Sequence, residues 1–378
     1  MFKNNLYAFV FFTCFWFLLV IVSGSLFSGY KFMDDAGHLV LTSKINQGQG
    51  AFELIKNYTT GDLQNRFRPL WAIEYAARTV LLKDNFLLHA IYRAFETVLI
   101  CFFLFLFARK LGLGQRISTL FALLSTVGQQ SIITWALAPS EGIGMFFLSL
   151  SLLFMAKAVL DDEKKLLNES LFLLFTALMS LCKESFIFFI PAIYTWRLWL
   201  SSRKYNISFI RAIRKNIFHA VVLAAIAIAE LFTLISISTN FGYAGTDSSL
   251  GVSNYIKTFI FLLIFSITGL VSLIGFGLIF FKIRSGAKKW FYPLLLFSAI
   301  VFPQVIIYTK SGMLERYFLP AVLGYSMLLI HQVLILEKHP VNYLVNKTVA
   351  MLLSLVSSMV LACGLLLGLS SSIRTFIV

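Results

Sequence analysis

Long apolar runs recur along this chain with only short polar breaks between them, and no other feature constrains its fold as much. Runs able to cross roughly 30 Å of hydrocarbon fall at 6–27, 86–108, 117–136, 141–160, 166–182 and 185–200. Five more fall at 217–238, 257–281, 291–309, 317–336 and 347–369. Backbone in lipid has no water to bond to, so segments of this length must satisfy their own N–H and C=O groups as helices. Composition agrees: the 378 residues are 59% hydrophobic and 13% charged, with 40 phenylalanines, whereas a soluble chain carries roughly 25% charged residues. That much apolar surface cannot be hidden in one globular core. The expected fold is an all-α polytopic membrane protein with about 11 transmembrane helices, forming a single domain over residues 1–378 with no separate soluble domain.

The first run is longer than the core of a secretory signal, and it reads as an uncleaved anchor although Ser23-Gly24-Ser25 offers a small-residue cleavage site. Four cysteines (Cys14, Cys101, Cys182, Cys363) lie in or beside apolar runs without metal-like spacing, as packing or lipid-facing residues do. The formal net charge of +15 raises a nucleic-acid partner, but the positions of the basic residues argue against one. With the N-terminus inside, the inner loops carry Arg109, Lys110 and Arg116, then Lys157, Lys164 and Lys165. They also carry Arg197, Arg203, Lys204, Arg211, Arg214 and Lys215, with further groups at 282–289, 338 and 347. The short outer loops hold few. This is the positive-inside pattern, and anionic membrane lipid accounts for the excess charge.

One outer loop departs from the compact pattern. Residues 28–85 are long, polar and charged, and a loop of that length in a tight bundle is more often functional than not. Its second half, with Glu74 and Arg78 four apart, has the spacing of an amphipathic helix lying at the interface. The outer face collects most of the unusual polar groups: Asp34-Asp35, Arg66 and Arg68, Glu141, Lys183-Glu184, and Lys310 with Glu315-Arg316. Snorkelling anchors explain lysines at span ends; they explain short carboxylates poorly. Deeper, His89, Arg93 and Glu96 share one face of the second span, either as a polar wall below an outer cavity or as an Arg93–Glu96 pair joining two helices.

Cations beside carboxylates at headgroup level suit one chemistry in particular. Arginine forms bidentate bonds to phosphate oxygens, and a carboxylate can deprotonate a hydroxyl nucleophile while the phosphate leaves. That is transfer of a sugar from a polyprenyl-phosphate carrier, which needs no nucleotide fold; no glycine-rich strand-to-helix signature occurs.

The motifs "MDDAGHL", "RFRPLW", "LCKESFIFFIP" and "ERYFLPA", in that order, resemble the GT-C superfamily of multi-span glycosyltransferases. The similarity is closest to the protein O-mannosyltransferase and tetratricopeptide-linked mannosyltransferase branch and its bacterial relatives, and runs from Asp34 to about residue 325. It implies Asp34 as catalytic base with Asp35 supporting it, and Arg66, Arg68, Lys183 and Arg316 near the donor phosphate. Glu184 and Glu315 would orient those cations or contact sugar hydroxyls; His89, Arg93, Glu141 and Tyr317 fall among the substrate-orienting positions. The resemblance further implies direct inversion at the anomeric carbon with no cofactor, although paired aspartates can hold a divalent ion. Where relatives carry an Arg and an Asp after the third span, "WALAPSEG" offers Pro139 and Glu141, and no tetratricopeptide array follows the last run.

These departures favour a cell-envelope glycan or glycolipid acceptor, such as lipopolysaccharide or O-antigen, over a protein hydroxyl. The expected setting is a bacterial inner membrane, with a cytoplasmic N-terminus and a periplasmic site, and with membrane lipids but no nucleic acid as partners. A lipid-linked sugar transporter or flippase, or an envelope polysaccharide polymerase, is the alternative. A transporter's polar groups belong near the midplane, and a polymerase's large loop is expected late in the chain. The same residues also have plainer readings. Asp34-Asp35 can solvate a loop or cap a helix, the arginines of "RFRP" and Arg316 can anchor at the interface, and Lys183-Glu184 can close a span end as a local pair. Residues 239–254 read as a polar loop able to cover the acceptor.

Overall fold

A computed structural model of the chain describes residues 2–29, 35–64, 66–237, 251–265, 290–311 and 315–338, with isolated positions between 269 and 277. Every regular element among the described residues is helical. Five helices are long and apolar enough to cross a membrane, over Asn5–Val22, Phe86–Lys110, Glu141–Leu160, Ile217–Ser236 and Phe291–Thr309. The fold class expected from the apolar runs is therefore present in its main feature, an all-helical chain with membrane-spanning segments.

The elements follow in order. Helix α1 (Phe2–Val22) leads to three helices of the predicted outer loop: α2 (Ala36–Asn46), α3 (Ala51–Leu63) and α4 (Pro69–Leu82). Helix α5 (Phe86–Lys110) starts where Asn85 accepts a hydrogen bond from the Leu88 N–H, a side-chain N-cap. Helices α6 (Gln115–Thr126), α7 (Ile132–Trp135), α8 (Glu141–Leu160), α9 (Lys165–Ser180), α10 (Glu184–Ile187) and α11 (Ile190–Tyr205) follow. The remainder are α12 (Phe209–Lys215), α13 (Ile217–Ile237), α14 (Val252–Phe265), α15 (Phe291–Ser311) and α16 (Ala321–Lys338), with a 3₁₀ turn at Glu315–Phe318.

Several predicted runs are not single helices. The run at 117–136 divides into α6, a 3₁₀ turn at Gln129–Ser131 and α7. Gly128 sits at φ 134°, a region open to glycine alone, and the Gln130 amide donates to the carbonyls of Leu124 and Val127 that the helix end leaves over. The run at 185–200 divides between α10 and α11, with Pro191 in the first turn of α11, where a missing N–H costs nothing. The last predicted run, 347–369, and the 239–250 part of the polar loop lie outside the described residues.

One core joins α1, α5, α6, α8, α11, α15 and α16, built on Phe12, Trp16, Phe105, Phe107, Trp196 and Tyr325. A second, smaller core under α2, α3 and α4 uses Leu41, Leu54, Trp71, Tyr75 and Ala138. Among the cysteines, Cys101 and Cys182 are buried and Cys14 is exposed, all as free thiols.

Charge gathers at both ends of α8. Glu141 in its first turn pairs with Lys183, and Asp161 just past its last residue pairs with Lys110. A helix of 20 residues spans about 30 Å at 1.5 Å per residue, the thickness of a hydrocarbon core. The Lys110 end also holds Arg197 on Glu169 and Lys204 on Asp162, each at 2.7 Å. The Lys183 end holds the residues predicted to carry chemistry.

Helix α8 reaches that end on glycine. A Cβ on Gly142 would stand 2.7 Å from Arg93 Nη1 and 2.8 Å from Glu96 Oε2. Gly142→Leu is expected to lower stability by about 1–3 kcal/mol, the usual range for overpacking, with Gly142→Ala less severe. Thermal unfolding of the detergent-solubilised protein checks the order of the three forms.

Candidate functional site

The site is organised by a short stretch that is not helical. Between α7 and α8 the chain runs through Ala136–Ser140 in extended and turn conformations, half-buried at Ala136 and buried from Leu137 to Ser140. Buried backbone outside a helix must find partners elsewhere. Here side chains from three other elements supply them. Asp35 Oδ1 accepts from the N–H groups of Leu137 and Ala138, each at 3.0 Å. Arg78 of α4 donates to the Leu137 carbonyl at 2.8 Å, and Trp71 Nε1 donates to the Ala138 carbonyl at 3.0 Å. Arg93 of α5 donates to the carbonyls of Ala136 and Pro139 and to Glu96, one turn along its own helix.

This gives firm positions to several predicted residues. Asp35 is 1% exposed and ties the start of the outer loop to the α7–α8 segment. Asp34 lies outside the described residues. Arg93 and Glu96 form the pair that their spacing offered, and the pair reaches beyond its helix to the 136–140 backbone. His89 on the same face donates from Nε2 to the Lys83 carbonyl at 2.9 Å, bracing the α4–α5 turn where Lys83 takes a left-handed φ of 53°.

A second group lies beside the first. Lys183 bonds to Glu141; both are almost fully buried. The Lys183 ammonium also stands 4.4 Å over the ring of Tyr317, which stacks on Tyr308 at 4.3 Å with the planes 6° apart. Burial lowers Lys183 to about 8, with Arg66 pushing the same way and Glu141 opposing. Arg66 pairs with Glu184 through two contacts of 3.3 Å. Burial works against the Glu184 charge, but Arg66 holds its carboxyl below the usual carboxylate range. Arg68 makes a forked contact with Asp62 at 2.7–3.2 Å and stacks 3.8 Å over the Trp71 ring. The Leu70 N–H at the start of α4 bonds to the Leu181 carbonyl, and Gln304 of α15 donates to Ser185, so the "RFRP" and "CKES" segments are joined by backbone as well as by charge.

Of the predicted set, Asp35, Arg66, Arg68, Glu141, Lys183, Glu184, His89, Arg93 and Tyr317 thus meet at one end of the bundle. Glu315 and Arg316 belong to the 3₁₀ turn that carries Tyr317, and their side chains lie outside the described ones. Asp62 and Tyr308 were missed from the sequence and carry no local signal. Arg78 was read only as the i,i+4 partner of Glu74, 3.0 Å away, and not as a residue of the site.

His38, inside the "MDDAGHL" motif, is fully buried against the rings of Tyr75 at 4.0 Å and His89 at 4.2 Å. The Thr79 hydroxyl donates to the Tyr75 carbonyl, so it accepts from His38, which carries its proton on Nδ1. Burial, with Arg78, His89 and Arg93 nearby, pulls His38 down to about 2.

Two outcomes follow. Asp35→Ala strands two buried amides and is expected to cost about 1–3 kcal/mol for each, while Asp35→Asn, which keeps an acceptor oxygen, costs less; thermal unfolding of both variants in detergent checks this. His38 stays neutral when folded but takes up a proton near 6.5 when unfolded. Its contribution is complete above that pH and drains away as pH falls toward about 2, at up to about 1.4 kcal/mol per pH unit. Unfolding midpoints at neutral and mildly acidic pH should converge for His38→Gln relative to wild type.

No family model matches this chain, and no curated protein or solved structure matches it either.

Proposed function

We propose that this chain is an inverting glycosyltransferase of the GT-C kind. It would move a sugar from a polyprenyl-phosphate donor to a cell-envelope glycan or glycolipid, on the periplasmic face of a bacterial inner membrane. About eleven spans, a cytoplasmic N-terminus and the 28–85 loop as part of the active site belong to the same reading. The observation that carries it is the convergence of carboxylates and cations from separate segments at one end of the bundle. Two of those arginines keep part of their side chain open, 23% for Arg66 and 17% for Arg68.

The roles divide by depth. Asp35 already serves two backbone amides, so it holds the loop in place and Asp34 beside it acts as the base. Arg66 and Arg68, with Arg316, receive the donor phosphate. The Arg66–Glu184 contacts of 3.3 Å exceed the roughly 2.7–2.9 Å of a strong charge-assisted bond, so a phosphate oxygen can compete with the carboxylate for Arg66. Lys183, enclosed by Glu141, Tyr308 and Tyr317, positions the turn that bears Arg316, and Glu184 and Glu315 orient the arginines. Asp34 takes the proton from an acceptor hydroxyl as its oxygen bonds to the anomeric carbon. The bond from that carbon to the phosphate oxygen breaks, and the polyprenyl phosphate leaves with the electron pair.

Asp34→Asn, reconstituted with radiolabelled polyprenyl-phosphate hexoses and envelope glycan acceptors, is expected to lose transfer by about 10²-fold or more, as removal of a general base does. Its unfolding midpoint should match wild type. Full transfer by the folded variant removes Asp34 from the base role; a wild type inert with every such donor removes the reading itself.

A further inference from the structure

Helices α2 and α3 enclose a cleft of about 340 Å³, within the roughly 300–1,000 Å³ of small-molecule sites. Leu54 forms its apolar floor, and Gln49, Asn57, Tyr58 and Asp62 form a polar wall. Two carboxamides and a phenol can both donate to and accept from a ligand, and the carboxylate accepts. Hydroxyl groups likewise do both, so this wall matches a polyhydroxylated molecule better than an apolar or a strongly charged one. The Tyr58 ring is held nearly parallel to Tyr75 at 5.4 Å, as a rigid flat surface of the sort sugar rings lie against.

Gly61 also lines the cleft. It lies within α3, where glycine costs about 1 kcal/mol relative to alanine, and its backbone is helical. A Cβ there would meet nothing within 4 Å. Neither a special φ nor close packing therefore requires glycine at this exposed position on the edge of the cleft.

Charge narrows the ligand further. Among the described residues Lys44 is the one cation lining the cleft, on an exposed part of α2, and the Asp62 charge is offset by its fork with Arg68. A phosphate would meet too little positive charge here. The same Asp62–Arg68 contact joins the cleft to the arginines assigned above to the donor phosphate.

We infer that the α2–α3 cleft is a saccharide-binding site, and that it holds the neutral glycan acceptor beside the donor. The acceptor role rests on the glycosyl-transfer reading; the binding of a neutral saccharide does not.

The test uses the full chain in lipid nanodiscs and saturation-transfer NMR. The probes are methyl glycosides of neutral hexoses and N-acetylhexosamines, their disaccharides, and a hexose 1-phosphate. At least one neutral saccharide is expected to receive saturation from wild type, with affinity falling by roughly tenfold or more in Gly61→Phe, which fills the cleft. Gln49→Ala with Asn57→Ala, on the exposed side of the cleft, should weaken it in the same direction and guards against misfolding of the larger substitution. Absence of signal with wild type, unchanged signal in both variants, or preference for the hexose phosphate overturns the inference. Because the readout is binding, the result is separate from whether any polyprenyl-phosphate donor is consumed.

Discussion

A buried stretch of backbone that is neither helix nor strand sets the terms for this end of the molecule. Residues 136–140 carry peptide groups that α7 and α8 cannot satisfy, and lipid or a dry protein interior gives them no water. Each unmet group would cost about 1–3 kcal/mol, so the segment exists only where other elements bring polar side chains to it. Asp35 supplies the acceptor, and Arg78, Arg93 and Trp71 supply the donors. These come from the loop before α2, from α4 and from α5. The packing of α2, α3 and α4 on the bundle and the pairing of this backbone are therefore one interaction.

Much else follows from that arrangement. Arg93 can reach two carbonyls only if α8 approaches closely, which Gly142 permits. Its charge needs a counterion in a dry setting, which Glu96 provides from the same helix. Arg78 is held likewise by Glu74. His38 packs neutral between Tyr75 and His89 because burial disfavours its charged form, and the guanidinium groups of Arg78 and Arg93 push the same way.

What the sequence disclosed depended on range. Helical segments were legible because apolar runs act locally. So were Arg93–Glu96 and Glu74–Arg78, since three and four residues fix a shared helix face. The break of 117–136 was harder: Gly128 and two glutamines sit in an apolar run, and only Gln130 closing over the helix end shows why the helix stops. Arg66 with Glu184, 118 residues apart, and Lys183 with Glu141, 42 apart, could be predicted to share a face but not to be partners. Asp34 and Asp35 are adjacent, with Asp34 expected as the base and Asp35 as its support. The tie from Asp35 to Leu137, 102 residues away, gives Asp35 a structural role that no local pattern contains.

The paired charges bear on how such a site would take an anion. Unpaired cations at this depth would be expensive before any ligand arrived, and Arg66, Arg68, Arg78, Arg93 and Lys183 each stand on a carboxylate. The last three are nearly sealed and hold structure. Arg66 and Arg68 sit nearer the surface, and Arg66 has the loosest of these contacts. On the glycosyl-transfer reading, donor binding is then an exchange of one oxyanion for another rather than neutralisation of a bare charge. Affinity would come from the difference between phosphate and carboxylate as partners for arginine. That difference favours a tetrahedral group reached by two arginines over a single carboxylate at long range. On that reading, a site built this way stays folded when empty and still discriminates in favour of phosphate.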